Sequence, residues 1–145
     1  MLVEAAQNSG VLSRNFGVFQ NAGYVGLYTL NVDGIRERKG IDPKEDVLDV
    51  MGRRELAANE FRITQTEGKL IEQGNIGETR AIETHFQVGR EVRHAIERIG
   101  GQMPEDLPPE PSIKRLLDHR RRAKKKLKAK TEANEQDEPA QERLF

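Results

Sequence analysis

One segment of this 145-residue sequence repeats its apolar side chains at a spacing that brings them to a single face of a helix. Between residues 78 and 99 the apolar or small positions are separated by four, three, three, four and three residues, the periodicity of an amphipathic α-helix. They are Ile82, Phe86, Gly89, Val92, Ile96 and Ile99. Gly100 and Gly101 follow directly, as is typical of a helix end. The stripe predicts a helix that packs along one side.

Residues 53–72 predict a second long helix, because they contain no proline and end close to Gly74. Leu56, Ile63 and Leu70 recur every seven residues, with Ala57 and Phe61 alongside, so we expect this face to be buried. We find no run that alternates apolar and polar residues as a half-buried strand does. The predicted fold class is all-α: a small multi-helix bundle followed by a basic helical extension and a disordered acidic C-terminal tail.

Shorter helices are predicted in the first fifty residues, where glycines and capping residues are frequent. Three glycines within residues 17–26 indicate a compact turn anchored by aromatic rings rather than a long helix. The expected helices are one ending at Asn8-Ser9-Gly10, a short one starting at Ser13, one over residues 31–39 ending at Gly40, and one running from Asp42-Pro43 through Met51.

The composition changes after residue 103. Residues 104–111, PEDLPPEP, are too rich in proline to be helical throughout, and they predict a connector. We therefore divide the chain into a helical body (1–103), a connector (104–111), a basic helix (112–128) and a disordered tail (129–145). Ser112 is the expected cap of the basic helix, whose apolar residues Ile113, Leu116 and Leu117 could pack back on the body.

Charge is strongly segregated although the whole chain carries 24 basic and 24 acidic side chains. Residues 1–111 hold 13 basic and 18 acidic side chains, and residues 112–130 hold 10 basic and 1 acidic. The last fifteen residues hold 1 basic and 5 acidic side chains. A mildly acidic body is thus followed by a basic block and an acidic tail, an arrangement typical of interaction segments or solubilising tails.

The basic block is a candidate phosphate-binding surface. It contains no aromatic residue on which bases could stack, so nucleic-acid binding through it should be weak and independent of sequence. The alternative is a solvated helix that the acidic tail partly neutralises. The candidate contacts are Lys114, Arg115, Arg120, Arg121, Arg122, Lys124, Lys125, Lys126, Lys128 and Lys130.

Residue types that carry catalysis or bind metals are sparse. The chain has no cysteine, and His85 and His94 are nine residues apart, on opposite faces of one helix, so we expect no metal, no cofactor and no enzyme activity. Asn59, Gln65 and Thr66 lie among apolar residues and predict hydrogen bonds between helices, or else a face that contacts a peptide or nucleotide. Without a signal peptide or membrane span, a soluble cytoplasmic protein is expected.

The last five residues form a short peptide of recognisable type. Gln141, Leu144 and Phe145 resemble the Q-x-x-L-F peptide by which bacterial replication and repair proteins hold the sliding clamp. In such peptides the glutamine amide forms hydrogen bonds, and the two apolar side chains enter a pocket. Leu144 and Phe145 are the only large apolar residues after Leu127. The alternatives are a frayed terminus or Phe145 docking on its own body.

Four strings resemble the DNA damage-inducible protein D family of bacteria. They are VFQNAGYVGLY (18–28), ELAANEFRITQTEGKL (55–70), THFQVGREVRHAI (84–96) and GGQMPEDLP (100–108). The resemblance covers about residues 1–118 and matches the C-terminal half of family members, whose N-terminal half resembles the Bro-type domain of phage antirepressors. It implies a role in the SOS response and an activity that modulates RecA-type recombinase filaments on single-stranded DNA, at the nucleoid when engaged.

A rival hypothesis is a regulatory adaptor of the phage antirepressor kind. It would act by binding another protein or a second copy of itself. The apolar stripe over residues 78–99 could serve such an interface as readily as a core.

Overall fold

In a computed structural model, which describes residues 1–111 and 113–137, the chain is built from helices, and no strand occurs among those residues. The predicted all-α class is confirmed. The chain forms two compact units, Met1–Glu110 and Pro111–Phe145. Short 3-10 turns lie at Ser13–Asn15, Val47–Val50 and Pro104–Asp106. The helices are α1 (Leu2–Ser9), α2 (Phe16–Tyr28), α3 (Val32–Lys39), α4 (Arg53–Gln73), α5 (Glu78–Arg98) and α6 (Ile113–Asp137).

Several helix ends lie where the sequence predicts them. Gly10 and Gly40 follow α1 and α3 with φ of 110° and 67°, backbone angles that glycine adopts without strain. Asn31 caps α3, its side-chain oxygen accepting from the backbone N–H of Gly34 at 2.9 Å. The predicted helices over residues 31–39, 53–72 and 78–99 are therefore confirmed to within one or two residues.

The compact turn expected after Ser13 is wrong, because α2 runs unbroken from Phe16 to Tyr28. Two of its three glycines, Gly23 and Gly26, lie where α2 crosses α5 rather than at turns. A Cβ atom on Gly23 would overlap the ring of His85, and one on Gly26 would overlap the carbonyl oxygen of Phe86. Because these glycines have no side chain, the two helix backbones can approach closely. The packing gained in this way outweighs the low helix propensity of glycine.

The helix expected from Asp42 through Met51 is also wrong. Asp42 forms a local turn instead, in which its carboxylate accepts from the backbone N–H of Lys44 at 2.9 Å. Asp46 then caps a single 3-10 turn by accepting from the N–H of Leu48 at 3.0 Å. The turn buries Val47 and Val50, so this segment is shaped by packing as much as by helix propensity.

Two apolar clusters fill the body. One joins α2, α3, the turn at 47–50 and α5; the other joins α1, α2, α4 and α5. The buried members of the first are Tyr24, Leu27, Tyr28, Ile35, Val47, Met51 and Val92, and those of the second are Ala5, Ala6, Val11, Phe19, Leu70 and Ala81.

The stripe on α5 is largely a core face. Val92 is buried, and Ile96 and Ile82 pack against the two apolar clusters. Ile99 departs from the pattern and is 81% exposed, because α5 ends one residue before it. Most of the stripe is thus used inside the body, which leaves little of it for the interface that the adaptor hypothesis needs.

Residues 104–110 differ from the connector that the sequence predicts. Pro104 is buried. The carboxylate of Glu105 accepts two hydrogen bonds from the guanidinium of Arg93, at 2.7 and 2.9 Å. The backbone N–H of Glu110 donates to the carbonyl of Val50 at 2.7 Å. We call residues 104–110 the docked segment, since these contacts make it part of the body.

Helix α6 continues through Asp137, past the end predicted at residue 128. Residues 129–137 include alanine, lysine, glutamate and glutamine, which have high helix propensity, and the next proline is Pro139. Leu117, expected to pack back on the body, is 46% exposed. The predicted cap Ser112 and the peptide ending at Phe145 lie outside the described residues. No helix within the described ranges is both long and apolar enough to cross a membrane.

Candidate functional site

Two features stand out for their chemistry: a network of polar side chains inside the body, and the cationic surface of α6. The network begins on α4, where the buried residues are Glu55, Asn59, Arg62, Thr66 and Leu70. Their spacing of four, three, four and four residues defines one helical face. The face predicted to be buried, with Phe61, is therefore wrong in part: Phe61 is 55% exposed, while a polar face points inward.

One end of the network is a buried ion pair. Lys39 donates to the carboxylate of Glu55 at 2.8 Å, and these side chains are 3% and 1% exposed. The same ammonium group donates to the carbonyl oxygen of Pro104 at 2.9 Å and to that of Leu107. All three protons of the ammonium are therefore used. Lys39 thus ties α3 to α4 and to the docked segment at a single point.

The middle of the network is the hydroxyl of Tyr28. It donates to Glu55 and accepts from the side-chain amide of Asn59 at 2.8 Å. Burial, together with the neighbouring carboxylate of Glu55, raises the pKa of Tyr28 well above its usual value. Tyr28 therefore stays a proton donor, and the chain of bonds from Lys39 to Asn59 has fixed directions.

The other end contains Arg62 and His85. Arg62 donates to the Nε2 atom of His85 at 2.6 Å and to the side-chain oxygen of Asn59 at 2.9 Å, and it lies 4.7 Å from the ring centre of Tyr24. Since Arg62 can only donate, Nε2 accepts, and Nδ1–H donates to the carbonyl of Phe19 at 2.8 Å. Burial lowers the pKa of Arg62. Burial and then the Arg62 charge lower the pKa of His85 to about 3.

The network is built for structure rather than for reaction with a ligand. Asn59, Thr66 and His85 are 0% exposed, so substrate cannot reach them. Asn59 forms a hydrogen bond to Tyr28 on α2, as the helix-to-helix interpretation predicts. Thr66 instead donates to a carbonyl of its own helix, that of Arg62, at 2.7 Å. Gln65 is exposed. The described residues contain no group of three or more His, Cys, Asp or Glu side chains that could hold a metal.

Sequence reasoning missed Arg62 and Glu55 as members of this network. The signal was present, because the polar residues at 55, 59, 62 and 66 repeat with a helical period, as an apolar stripe would. Lys39 carries no comparable signal, since Arg36 and Arg38 on the same helix are also basic and are not in the network.

Mild acid is expected to destabilise the body through His85. Its pKa is about 3 in the folded protein, against 6.5 as the ordinary value. Between these values the unfolded state binds a proton that the folded state excludes, so stability falls as pH falls. Lowering the pH from neutral to 5 should reduce the free energy of unfolding by about 2 kcal/mol.

Urea denaturation at several pH values between 5 and 7 measures the slope of the free energy of unfolding against pH. Ordinary carboxylates scarcely titrate in this range. The slope should disappear in His85→Gln and persist in His94→Gln, which changes a half-buried histidine on the same helix. A His85→Gln variant with the full slope would show that another group is responsible.

The cationic surface of α6 is fully open to solvent. Every side chain from Arg120 to Asn134 is exposed, including Leu127 at 69%. At 100° per residue its cations lie on all sides of the helix rather than along one stripe. No ion pair among the described side chains involves a cation of α6. The side chains of Lys114 and Arg115 are outside the described set.

In comparisons with known proteins, residues 1–116 match the family model described as "DinD C-terminal domain". The chain is also 52% identical over 118 residues to DNA damage-inducible protein D of Escherichia coli K12. That alignment covers 79% of this chain and 43% of the relative, so the chain spans less than half of the relative's length. No solved structure matches. Most of the cationic surface of α6 lies beyond the residues that the family model matches.

Proposed function

The chain belongs to the DinD C-terminal domain family, and on that premise we propose that it is a non-enzymatic accessory protein of the DNA-damage (SOS) response. The resemblance inferred from the sequence strings is confirmed. The proposed activity is modulation of RecA-type recombinase filaments on single-stranded DNA. The single observation that carries the proposal is the identity shared with DNA damage-inducible protein D across nearly the whole body. The proposed location is the cytoplasm, at the nucleoid when the protein is engaged.

In this proposal the body supplies the protein contact. Its polar network is internal and has no access to a partner, so contact must come from the outer surface. A groove between α4 and α5 is lined by Phe61, Gln65, Lys69, Gln87 and Val88, among others. Phe61 is a large, half-exposed aromatic side chain in this groove, the kind of residue that anchors protein interfaces.

Filament assembly on single-stranded DNA tests the proposal directly. Fluorescence of a labelled strand would follow assembly with and without stoichiometric amounts of the protein. We expect the wild type to change the extent or rate of assembly, and Phe61→Ser to weaken that change. Ile71→Ser, which also alters an exposed apolar residue of α4, is the matched control. No effect of the wild type would reject the proposed activity.

The cationic surface of α6 is proposed to add affinity for phosphates. Binding of labelled single-stranded DNA should weaken steeply with salt, with a slope of log K against log salt of about −0.7 per contacted phosphate. Lys124→Gln/Lys125→Gln/Lys126→Gln should reduce that slope by about 2, because it removes three cations. Fluorescence anisotropy at several salt concentrations measures the slope.

The control for DNA binding changes three exposed cations of the body, Arg53→Gln/Arg54→Gln/Lys69→Gln. This variant should retain the wild-type slope. Binding that does not depend on salt, or an equal loss in both triple variants, would contradict a phosphate role for α6.

Recruitment to the sliding clamp is proposed from the sequence of the terminal peptide. Gln141, Leu144 and Phe145 would enter the clamp's peptide site. Purified clamp should retain the wild type and lose Leu144→Ala/Phe145→Ala. If both are retained equally, or neither is, the peptide has no such role.

A further inference from the structure

We propose that α6 lies in the major groove of double-stranded DNA, with a row of cations facing the phosphates of each strand. The inference rests on the phosphate affinity proposed above for this helix, and it adds which polymer is bound and which side of the helix meets it. Three features carry it: the distribution of side chains around α6, the dimensions of the helix, and the residue types that its basic part lacks.

One narrow stripe of α6 carries small or apolar side chains, in contrast to the rest of the helix. At about 100° per residue, Ala123, Leu127 and Thr131 lie within about 40° of one line along the axis. All three are exposed, Leu127 by 69%. The hydroxyl of Thr131 already donates to the carbonyl of Leu127 at 2.9 Å, which leaves its methyl group for other contacts. Arg120 and Asn134 lie on the same line at its two ends, and we call these five residues the α6 stripe.

Cations border the α6 stripe on both sides. Measured around the axis from Leu127, one set lies at about 60–120° and the other at about 60–140° in the opposite direction. The first flank is Arg121, Lys124 and Lys128, and the second flank is Arg122, Lys126 and Lys130. All six side chains are exposed, and none forms an ion pair with another described side chain. The two flanks can therefore meet two separate lines of phosphates.

The acid in this part of the helix leaves most of the charge in place. Between Arg120 and Asn134, Glu132 is the single acidic residue, against eight basic ones. It follows Lys128 by one turn and lies about 140° from Leu127, so it is turned away from the α6 stripe. Cations four residues apart within a flank also repel each other, and phosphates on both sides would relieve that repulsion.

The major groove of B-DNA matches the width and the charge pattern of α6. The groove is about 12 Å wide and lies between two phosphate backbones, and an α-helix with its side chains is about 10–12 Å across. When the α6 stripe faces the floor of the groove, the two flanks point to opposite strands. Ala123 and Leu127 can then contact thymine methyl groups, and Arg120 can donate to guanine.

Other nucleic acids use this arrangement less well. A single strand carries one line of phosphates, so lying along α6 it would meet one flank and leave the other without a partner. Proteins that hold single strands also stack bases on aromatic side chains, and residues 113–137 contain no Phe, Tyr or Trp. The major groove of double-stranded RNA is too narrow to be read by side chains. The pattern therefore favours double-stranded DNA.

Fluorescence anisotropy with the full chain tests the polymer and the groove. The labelled polymers are double-stranded DNA, its single strand, double-stranded RNA of the same sequence, and double-stranded DNA containing glucosylated 5-hydroxymethylcytosine. The sugar fills the major groove and leaves the phosphates unchanged. We expect unmodified double-stranded DNA to bind at least about tenfold more tightly than each of the others. Equal binding of the single strand or of the glucosylated duplex would overturn the groove position and leave the phosphate role of α6 standing, whereas no binding of any polymer would reject both.

Both flanks should contribute to the binding of double-stranded DNA. Replacing the three cations of either flank should reduce the slope of log K against log salt by about 3, at about 0.9 per phosphate. The variants are Arg121→Gln/Lys124→Gln/Lys128→Gln and Arg122→Gln/Lys126→Gln/Lys130→Gln. A reduced slope in only one of them would mean that DNA lies along one side of the helix, and it would contradict the groove position.

A carboxylate on the α6 stripe separates binding in the groove from general attraction between charges. Leu127→Glu would place a negative charge on the floor of the groove and should weaken binding of double-stranded DNA at least about tenfold. Ala129→Glu is the matched control, because Ala129 is exposed and lies about 160° from Leu127 around the same helix. It should weaken binding less than about threefold, since the added charge faces away from the DNA. Circular dichroism of both variants should match the wild type, and equal losses of affinity would overturn the proposal.

Discussion

Gly89→Ala is expected to destabilise the body by more than about 3 kcal/mol, a large part of the 5–15 kcal/mol that holds an ordinary domain together. A Cβ atom at this position would lie 2.6 Å from the carbonyl oxygen of Gly23 and 3.0 Å from the backbone nitrogen of Leu27. Both are backbone atoms of α2, so relief requires the two helices to separate. The gain in helix propensity from alanine, about 1 kcal/mol, cannot offset that clash.

Gly68→Ala is the matched control, since Gly68 lies within α4 and a Cβ atom there meets nothing within 4 Å. It should raise the free energy of unfolding by about 0.5–1 kcal/mol. Thermal or urea denaturation followed by circular dichroism measures both variants. A Gly89→Ala variant as stable as the wild type would show that α2 and α5 do not cross in close backbone contact.

Lys39→Met is expected to lower the free energy of unfolding by about 3–5 kcal/mol, the usual cost of removing one partner of a buried ion pair. The substitution keeps much of the side-chain volume but leaves the carboxylate of Glu55 inside the body without its cation. It also removes the ammonium group that donates hydrogen bonds to the carbonyl oxygens of Pro104 and Leu107. The docked segment should therefore loosen together with the ion pair, and protease cleavage near residues 104–110 would report that loosening.

Arg38→Met is the control for Lys39→Met. Arg38 also bonds to the docked segment, through Asp106, but this contact lies at the surface. Arg38 and Asp106 are 51% and 46% exposed, so their ion pair should contribute less than about 1 kcal/mol. Urea denaturation of the two variants gives the comparison. Equal losses would mean that burial of Lys39 does not set the strength of its contacts.

Hydropathy patterns identify the helices of this protein better than they identify the face of each helix that is buried. The inward face predicted for α4 includes Leu70, which is buried, and Phe61, which is exposed. The polar residues Asn59 and Arg62 are buried as well. Their burial depends on Tyr28 and His85, which lie 31 and 23 residues away in sequence. A pattern that scores each side chain alone cannot include such partners, so it places polar residues outside.

The connector predicted from prolines and the turn predicted from glycines were wrong for a related reason. The docked segment has the composition of a connector, but Lys39 and Arg93 supply donors and charges that make a packed position favourable. The glycines of α2 are typical of a turn, but here the missing side chains admit the backbone of α5. In both cases the composition is ambiguous until the neighbouring element is known.

The sequence by itself determined the all-helical class, the extents of α3, α4 and α5, and the separation of a basic block from an acidic tail. These follow from local periodicity, helix-ending residues and charge, which act between residues close in the chain. Only the tertiary structure decided that α4 turns a polar face inward, that α2 is unbroken, and that residues 104–110 dock on the body. Those outcomes depend on contacts between residues far apart in sequence, where hydrogen bonds and close backbone packing outweigh local preference.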